Sequence, residues 1–319
     1  MYWTYGIKKM YKLGASPSPT DNRDFSVRVM PCALPREYKQ HIGSSNYHQQ
    51  ESTCVAQTLR NIMREAYGTE FGTNFLYGGG RSHTYEGMIP AEAVKFLNTY
   101  GMAPARYDPG EKEVMDVIYY YRANRTVLEQ KAAPYKGATY ARAYTAEQIK
   151  AALHSGMYAA ACFAISQWKP DRHGVWPCIS PVMGYHEMRV FGWELVNGTE
   201  YACVQNSWGS SWGKRGECYI SWADVLRCND VLIIKPIEQQ THDAEIRRTL
   251  RKGMRDDGNY ADVSELQSWL NSKGYNCGTA DGVFGSRTKR AVKAMQKANG
   301  LTADGIVGPK TWEVIDNAD

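Results

Sequence analysis

Between Cys54 and Tyr67 the apolar residues Val55, Leu59, Ile62, Met63 and Ala66 recur at helical spacing, and Gly68 stands where a left-handed C-terminal cap belongs. The spacing predicts a buried helix with Cys54 at its N-terminus. A second helix is marked by Pro90 in its first turn, Val94 and Leu97 on one face, and Gly101 as its stop. A third opens on the Thr145 to Gln148 capping box and ends before Gly156. After Gly156 the period changes. Residues 158–166, 186–195, 200–205, 217–222 and 231–237 are short strand-like runs separated by Gly, Asn or Asp. Helices first and strands second predict an α+β domain with a helical lobe and a sheet lobe. The first fifty residues lack sustained periodicity and read as an extended N-terminal segment.

Residues 238–258 are polar and charge-dense and read as a linker, which places a first domain at 1–237 and a second at 259–319. The second contains an internal repeat, ADGVFGSRT (280–288) and ADGIVGPKT (303–311), in which Asp-Gly makes a turn and the Thr leads into a helix. A helix beginning at Asp262 to Glu265, with Leu266, Trp269 and Leu270 inward, completes a small all-α three-helix bundle. Val292, Met295, Trp312 and Ile315 supply the rest of its core.

With 319 residues, 43% hydrophobic and 22% charged, and a mean hydropathy of −0.52, the chain has the composition of a globular protein. No apolar run reaches bilayer length, so no membrane insertion is expected. The opening residues lack an apolar core of signal-peptide length, and synthesis in a bacterial, or infected host, cytoplasm without an export signal is expected. A formal charge of +5, concentrated only at 247–255, is too weak to argue for nucleic acid. The eight cysteines show no zinc spacing, so no metal or cofactor is expected, and folding in a reducing compartment is the simpler reading. His83, His154 and His173 are read as surface or supporting residues. The tyrosine run at 119–121 is read as amphipathic packing.

A cysteine at a helix N-terminus sits where the backbone dipole favours thiolate. His186 begins an alternating strand and Asn206 ends another, so neighbouring strands can bring imidazole and carboxamide together. The chemistry needs this trio: imidazole takes the thiol proton and returns it to the leaving amine, while the amide oxygen fixes which ring nitrogen faces sulfur. The order Cys, His, Asn, with Asn206-Ser207-Trp208-Gly209 followed by Trp212-Gly213, resembles the papain-like cysteine peptidases over residues 20–236. That resemblance implies Cys54 as nucleophile, His186 as general acid/base, Asn206 as orienting amide and Trp208 as the ring shielding their hydrogen bond.

The chain departs from the family around the nucleophile, where Ser52, Thr53, Cys54 and Val55 replace the usual aromatic-flanked, glycine-rich approach. His48 occupies the position of the oxyanion-hole glutamine, and Gln49 and Gln50 follow it. Gln49 is favoured over His48 and Gln50 as the side-chain donor. No long inhibitory pro-segment is legible before Cys54.

The C-terminal pattern, from LQ at 266–267 through MQ at 295–296 to TW at 311–312, resembles the peptidoglycan-binding domain of wall-lytic enzymes. Together the two resemblances imply a monomeric, endolysin-like cysteine endopeptidase held on bacterial peptidoglycan and acting at the cell wall, and the lack of an export signal suits a phage lysin better than a bacterial autolysin. The alternatives are a wall-anchored protease acting on proteins and a non-catalytic wall-binding or virion protein.

Overall fold

The computed structural model describes residues 13–19, 26–27, 33–43, 48–81, 87–177, 181–227, 230–237, 248–256 and 262–316. The chain divides into two compact units, Met1–Gln239 and Gln240–Asp319.

In the first unit the helical lobe is α1 (Cys54–Tyr67), α2 (Asn74–Gly80), α3 (Pro90–Tyr100) and α4 (Val114–Ala132). Helix α1 buries Val55, Leu59, Ile62 and Met63, and Gly68 closes it in the left-handed conformation at φ 64°. Helix α2, NFLYGGG, carries three glycines, residues that ordinarily weaken a helix interior. They are there for close packing: a Cβ at Gly78 would stand 2.5 Å from Tyr121 Cβ, and one at Gly79 2.5 Å from Phe96 Cε2. Helix α4 hid its period because its tyrosines go different ways. Tyr121 packs on Phe75 and Phe96, Tyr120 donates to the Tyr107 carbonyl, and Tyr119 is 67% exposed.

The sheet lobe is one mostly antiparallel sheet. Its strands β2 (Ala138–Arg142), β3 (Tyr158–Ile165), β4 (Gly184–Val196), β5 (Thr199–Gln205), β6 (Glu217–Ile220) and β7 (Val231–Pro236) lie in the order β2-β7-β3-β4-β5-β6. The short β1 (Tyr38–Lys39) also pairs with β4. Helix α5 (Ala146–His154) opens on the Thr145/Gln148 capping box, with both reciprocal bonds present, and the short α6 (Trp222–Leu226) follows β6. Strand β2 escaped sequence reading because its last residue is an arginine. Arg142 is nonetheless buried, bonded to Asp230 at 2.9 Å. Helix α1 lies against β4, where fully buried Arg189 reaches Glu65 of α1 and the His41 carbonyl.

The second unit contains α7 (Asp262–Ser272), α8 (Ser286–Ala298) and α9 (Pro309–Asp316) around Leu266, Leu270, Val292, Met295, Trp312 and Ile315. The repeat is reproduced atom by atom. Gln267 Nε2 donates to Asp281 Oδ1 (2.9 Å), the Val283 carbonyl (3.1 Å) and Thr288 Oγ1 (3.1 Å), while its Oε1 accepts from Gly282 N–H (2.9 Å). Gln296 does the same to Asp304 (2.8 Å), Ile306 (2.9 Å), Thr311 (3.2 Å) and Gly305 (2.8 Å). Each buried glutamine thus pins one Asp-Gly turn to the helix start that follows it.

One expectation changes here. Residues 248–256 are not spacer: Leu250 is fully buried and exchanges backbone hydrogen bonds with Val307, and Trp312 Nε1 donates to the Arg248 carbonyl. Charged residues around Leu250 masked a strand-like pairing that forms only against the folded module. Residues 238–247 lie outside the described residues. Trp269 is half-buried and packs against the same core, its ring parallel to Tyr275 at 6.5 Å.

Candidate active site

Strands β4 and β5 pair with Arg189 opposite Gln205. Carried past the end of β5, that register brings 206–208 alongside His186 at the start of β4. His186 Nε2 lies 2.7 Å from Asn206 Oδ1, which also accepts from the Ser207 N–H at 2.7 Å. An amide oxygen only accepts, so the Nε2 facing it carries the proton and donates. The neutral ring then keeps its lone pair on Nδ1, which is buried without a hydrogen-bond partner. Trp208 stacks on the imidazole at 4.5 Å and 26°, with Trp168, Trp176 and Trp212 packed around it.

Helix α1 delivers Cys54. Its N-cap residue Thr53 makes no side-chain cap, because the Thr53 hydroxyl donates instead to Glu111 Oε1. Cys54 Sγ accepts from the N–H of Glu187, the residue next to His186, at 3.5 Å, so Cys54 and His186 stand on neighbouring elements where α1 touches β4. Both are fully buried. Burial pushes the thiol up from its ordinary 9.0 to about 12, against the backbone N–H groups of Glu187, Gly14 and Val55, while the Glu187 carboxylate adds to the rise. Burial likewise lowers the imidazole from 6.5 to about 4, with the Asn206 bond opposing it. In this covered state the pair is neutral thiol and neutral imidazole.

The cover is the N-terminal segment. Ser16 N–H donates to the Met88 carbonyl (2.9 Å), Met88 N–H to the Gly14 carbonyl (2.8 Å) and Ala15 N–H to the Tyr185 carbonyl (3.3 Å), so residues 14–16 run between the two lobes. They run parallel to the chain at Met88. A Cβ at Gly14 would fall 2.1 Å from the Ser52 carbonyl oxygen, so only glycine fits at that point. Ser18 N–H is bonded to Asp230 Oδ2 (2.6 Å) and Arg142 holds the Pro19 carbonyl (2.9 Å), anchoring the far end. A short stretch of glycine, alanine and serine thus covers the cleft through backbone hydrogen bonds, which no side-chain pattern announces.

Of the three oxyanion candidates, Gln49 is buried: its Oε1 accepts from the Ser207 hydroxyl (2.5 Å), its Nε2 donates to the Glu51 carbonyl (2.9 Å), and its backbone N–H bonds the Ser207 carbonyl. Gln50 is exposed, its side chain turned back to the His48 carbonyl. His48 pairs through its backbone with Trp208 and lies beside Gly209. Sequence reasoning passed over Ser207 and Glu111. Ser207 stands inside the Asn-Ser-Trp-Gly run, but Glu111 had no signal. Its Oε2 accepts from Gln50 N–H at 2.5 Å, and its loop is pinned by Asn74, which bonds the Gly110 carbonyl (2.9 Å) and Lys112 N–H (2.9 Å). Asn74 in turn donates to buried Asp108.

The remaining histidines stay apart. His154 meets the edge of Tyr38, His173 accepts from Arg172, and His83 and Cys178 lie outside the described residues. Cys54, Cys203 and Cys277 are free thiols and, like Cys162 and Cys218, are buried. No helix among the described residues is long and apolar enough to cross a membrane.

Residues 82–230 match the family model described as papain family cysteine protease, and residues 259–315 that of a putative peptidoglycan binding domain. The first match contains His186 and Asn206 but begins after Cys54. Among solved structures, xylellain, a cysteine protease from Xylella fastidiosa, superposes with a TM-score of 0.58 at 19% identity, covering 73% of this chain and 100% of that one. Among curated relatives, the spore cortex-lytic enzyme of Bacillus cereus is 33% identical over 84 residues, 26% of this chain and 31% of the relative. The N-acetylmuramoyl-L-alanine amidase CwlM of Mycobacterium tuberculosis is 46% identical over 50 residues, 16% of this chain and 12% of the relative. The chain thus spans less than a third of the curated relatives named here. By these matches and by its fold, the chain carries a papain-family cysteine protease domain followed by a putative peptidoglycan-binding domain.

Proposed function

We propose that the protein is an endolysin-like cysteine endopeptidase that hydrolyses peptide bonds of bacterial peptidoglycan while its C-terminal unit holds it on the wall. The observation that carries this reading is the convergence of Cys54, His186 and Asn206, from three separate elements, on a chain that also bears a peptidoglycan-binding domain. Cys54 supplies the nucleophile and His186 Nδ1 the acceptor for its proton. Attack of sulfur on the scissile carbonyl carbon places negative charge on its oxygen. The Cys54 backbone N–H and Gln49 Nε2, which is held in place by the Glu51 carbonyl, are the donors assigned to that oxygen. His186 then protonates the leaving amine, and water hydrolyses the thioester with His186 as base.

Substrate must first displace residues 14–16. Leaving the low-dielectric covered state relieves the burial that holds thiol and imidazole neutral, so uncovering and activation are one event.

Mass spectrometry of fragments released from purified sacculi, by wild type and by Cys54→Ala, tests the reading. New amino and carboxyl termini within stem peptides or cross-bridges are expected with wild type alone. Release of wall-associated protein from intact sacculi would assign the substrate to protein, and equal release by Cys54→Ala would remove Cys54 as nucleophile.

A further inference from the structure

The second unit contains a cavity of about 520 Å³ whose walls include Tyr275, Asn276, Arg287, Arg290, Ala291 and Ala294. Helix α8 carries five cationic residues and no acidic one. Lys289 and Lys293 lie against Gly305 of the second turn, whereas Arg287 and Arg290, one turn apart, line the cavity. Both arginines are exposed, and neither makes a hydrogen bond or ion pair with any described residue. The two guanidinium groups border one cavity whose lining holds no acidic side chain, so its potential is positive and favours an anion between them.

The rest of the lining narrows the choice. Ala291 and Ala294 make an apolar floor, and Tyr275, stacked on Trp269, gives an aromatic wall. Asn276 holds a positive φ of 34°, a strained conformation for a residue with a side chain, and its amide makes no hydrogen bond among the described residues. Planar forked donors beside an aromatic and an apolar face suit a carboxylate attached to aliphatic or sugar carbons.

We propose that this cavity is the wall-binding site of the module and that Arg287 and Arg290 hold a carboxylate of the peptidoglycan stem peptides. The inference rests on the reading that the C-terminal unit binds peptidoglycan, and it adds the residues and the chemical group recognised.

The test is sedimentation of the full chain, carrying Cys54→Ala so that sacculi stay intact. The double variant Arg287→Gln/Arg290→Gln is expected to bind about 10- to 100-fold more weakly, the size of two lost charge-assisted contacts. Its thermal unfolding should not change, because neither arginine supports the fold. Methylamidation of the wall carboxylates should weaken the parent protein to the level of the double variant, whereas stripping phosphate polymers from the wall should not. Undiminished binding by the double variant overturns the assignment, as does loss of binding on phosphate stripping alone, which would make phosphate the ligand. Failure of the parent protein to bind any sacculi would remove the peptidoglycan reading itself, and the cavity's role with it.

Discussion

The two units solve the problem of holding a functional side chain in opposite ways. In the C-terminal unit each Asp-Gly turn is clamped by a glutamine 14 or 8 residues before its aspartate, and the network is copied twice within one short segment. In the protease unit Cys54, His186 and Asn206 are fixed by the docking of α1 on β4, through a bond between residues 133 apart, and by the register of β4 on β5. Local networks are written as repeats. Long-range ones are written as isolated residues that acquire meaning only when the sheet forms.

The largest expected effect separates the units. Cys54→Ala should lower turnover by about 10⁴-fold or more, with unchanged sedimentation on sacculi. Loss of wall binding in that variant would show that the units depend on each other.

Gln296→Ala should destabilise the C-terminal unit by about 2–4 kcal/mol, because it orphans several buried partners at once. Gln267→Ala should match it, as two copies of one clamp must, in chemical denaturation. Trp269→Ala should cost only about 1–2 kcal/mol, since its ring is half-buried. A larger loss than at either glutamine would invert the assignment of the core.

In the protease unit, Gly14→Ala adds a methyl where the Ser52 carbonyl already stands. With a clash worth about 1–3 kcal/mol, alkylation of Cys54 by iodoacetamide should quicken about 5- to 150-fold. An unchanged rate would mean that residues 14–16 do not limit access to the thiol. Glu111→Ala should lower kcat about tenfold while KM changes little, because it frees the loop carrying Gln49 without touching substrate. An effect confined to thermal stability would reduce Glu111 to scaffold.

The smallest effect is in pH. Covering lowers the imidazole from 6.5 to about 4, so below about pH 6.5 the uncovered form binds more protons and acid favours opening. Covering raises the thiol from 9.0 to about 12, so above about pH 9 the uncovered form has lost more protons and alkali also favours opening. Protection of residues 13–19 from limited proteolysis should therefore be greatest between about pH 6.5 and 9. Monotonic protection across that range would mean that neither group is coupled to the cover.

By itself the sequence determined whatever depends on neighbours within a few positions. Helix α1 with its Gly68 stop, the capping box of α5, the five strand runs after Gly156 and the doubled turn were all legible, because period, caps and Asp-Gly turns are local signals. The Asn-Ser-Trp-Gly run located Asn206 and Trp208 through family resemblance. Tertiary structure decided the rest. Glycines that look like breakers in α2 are contact points for Tyr121 and Phe96. Charged stretches conceal Arg142 and Leu250, which are buried by pairing with Asp230 and Val307. Gln49 is distinguished from two polar neighbours only because Ser207, 158 residues away, receives its side chain. The cover over Cys54 is made of backbone hydrogen bonds from small residues, and a backbone donor has the same identity at every position. Which partner it finds is set by packing alone, so that contact had to be seen in three dimensions.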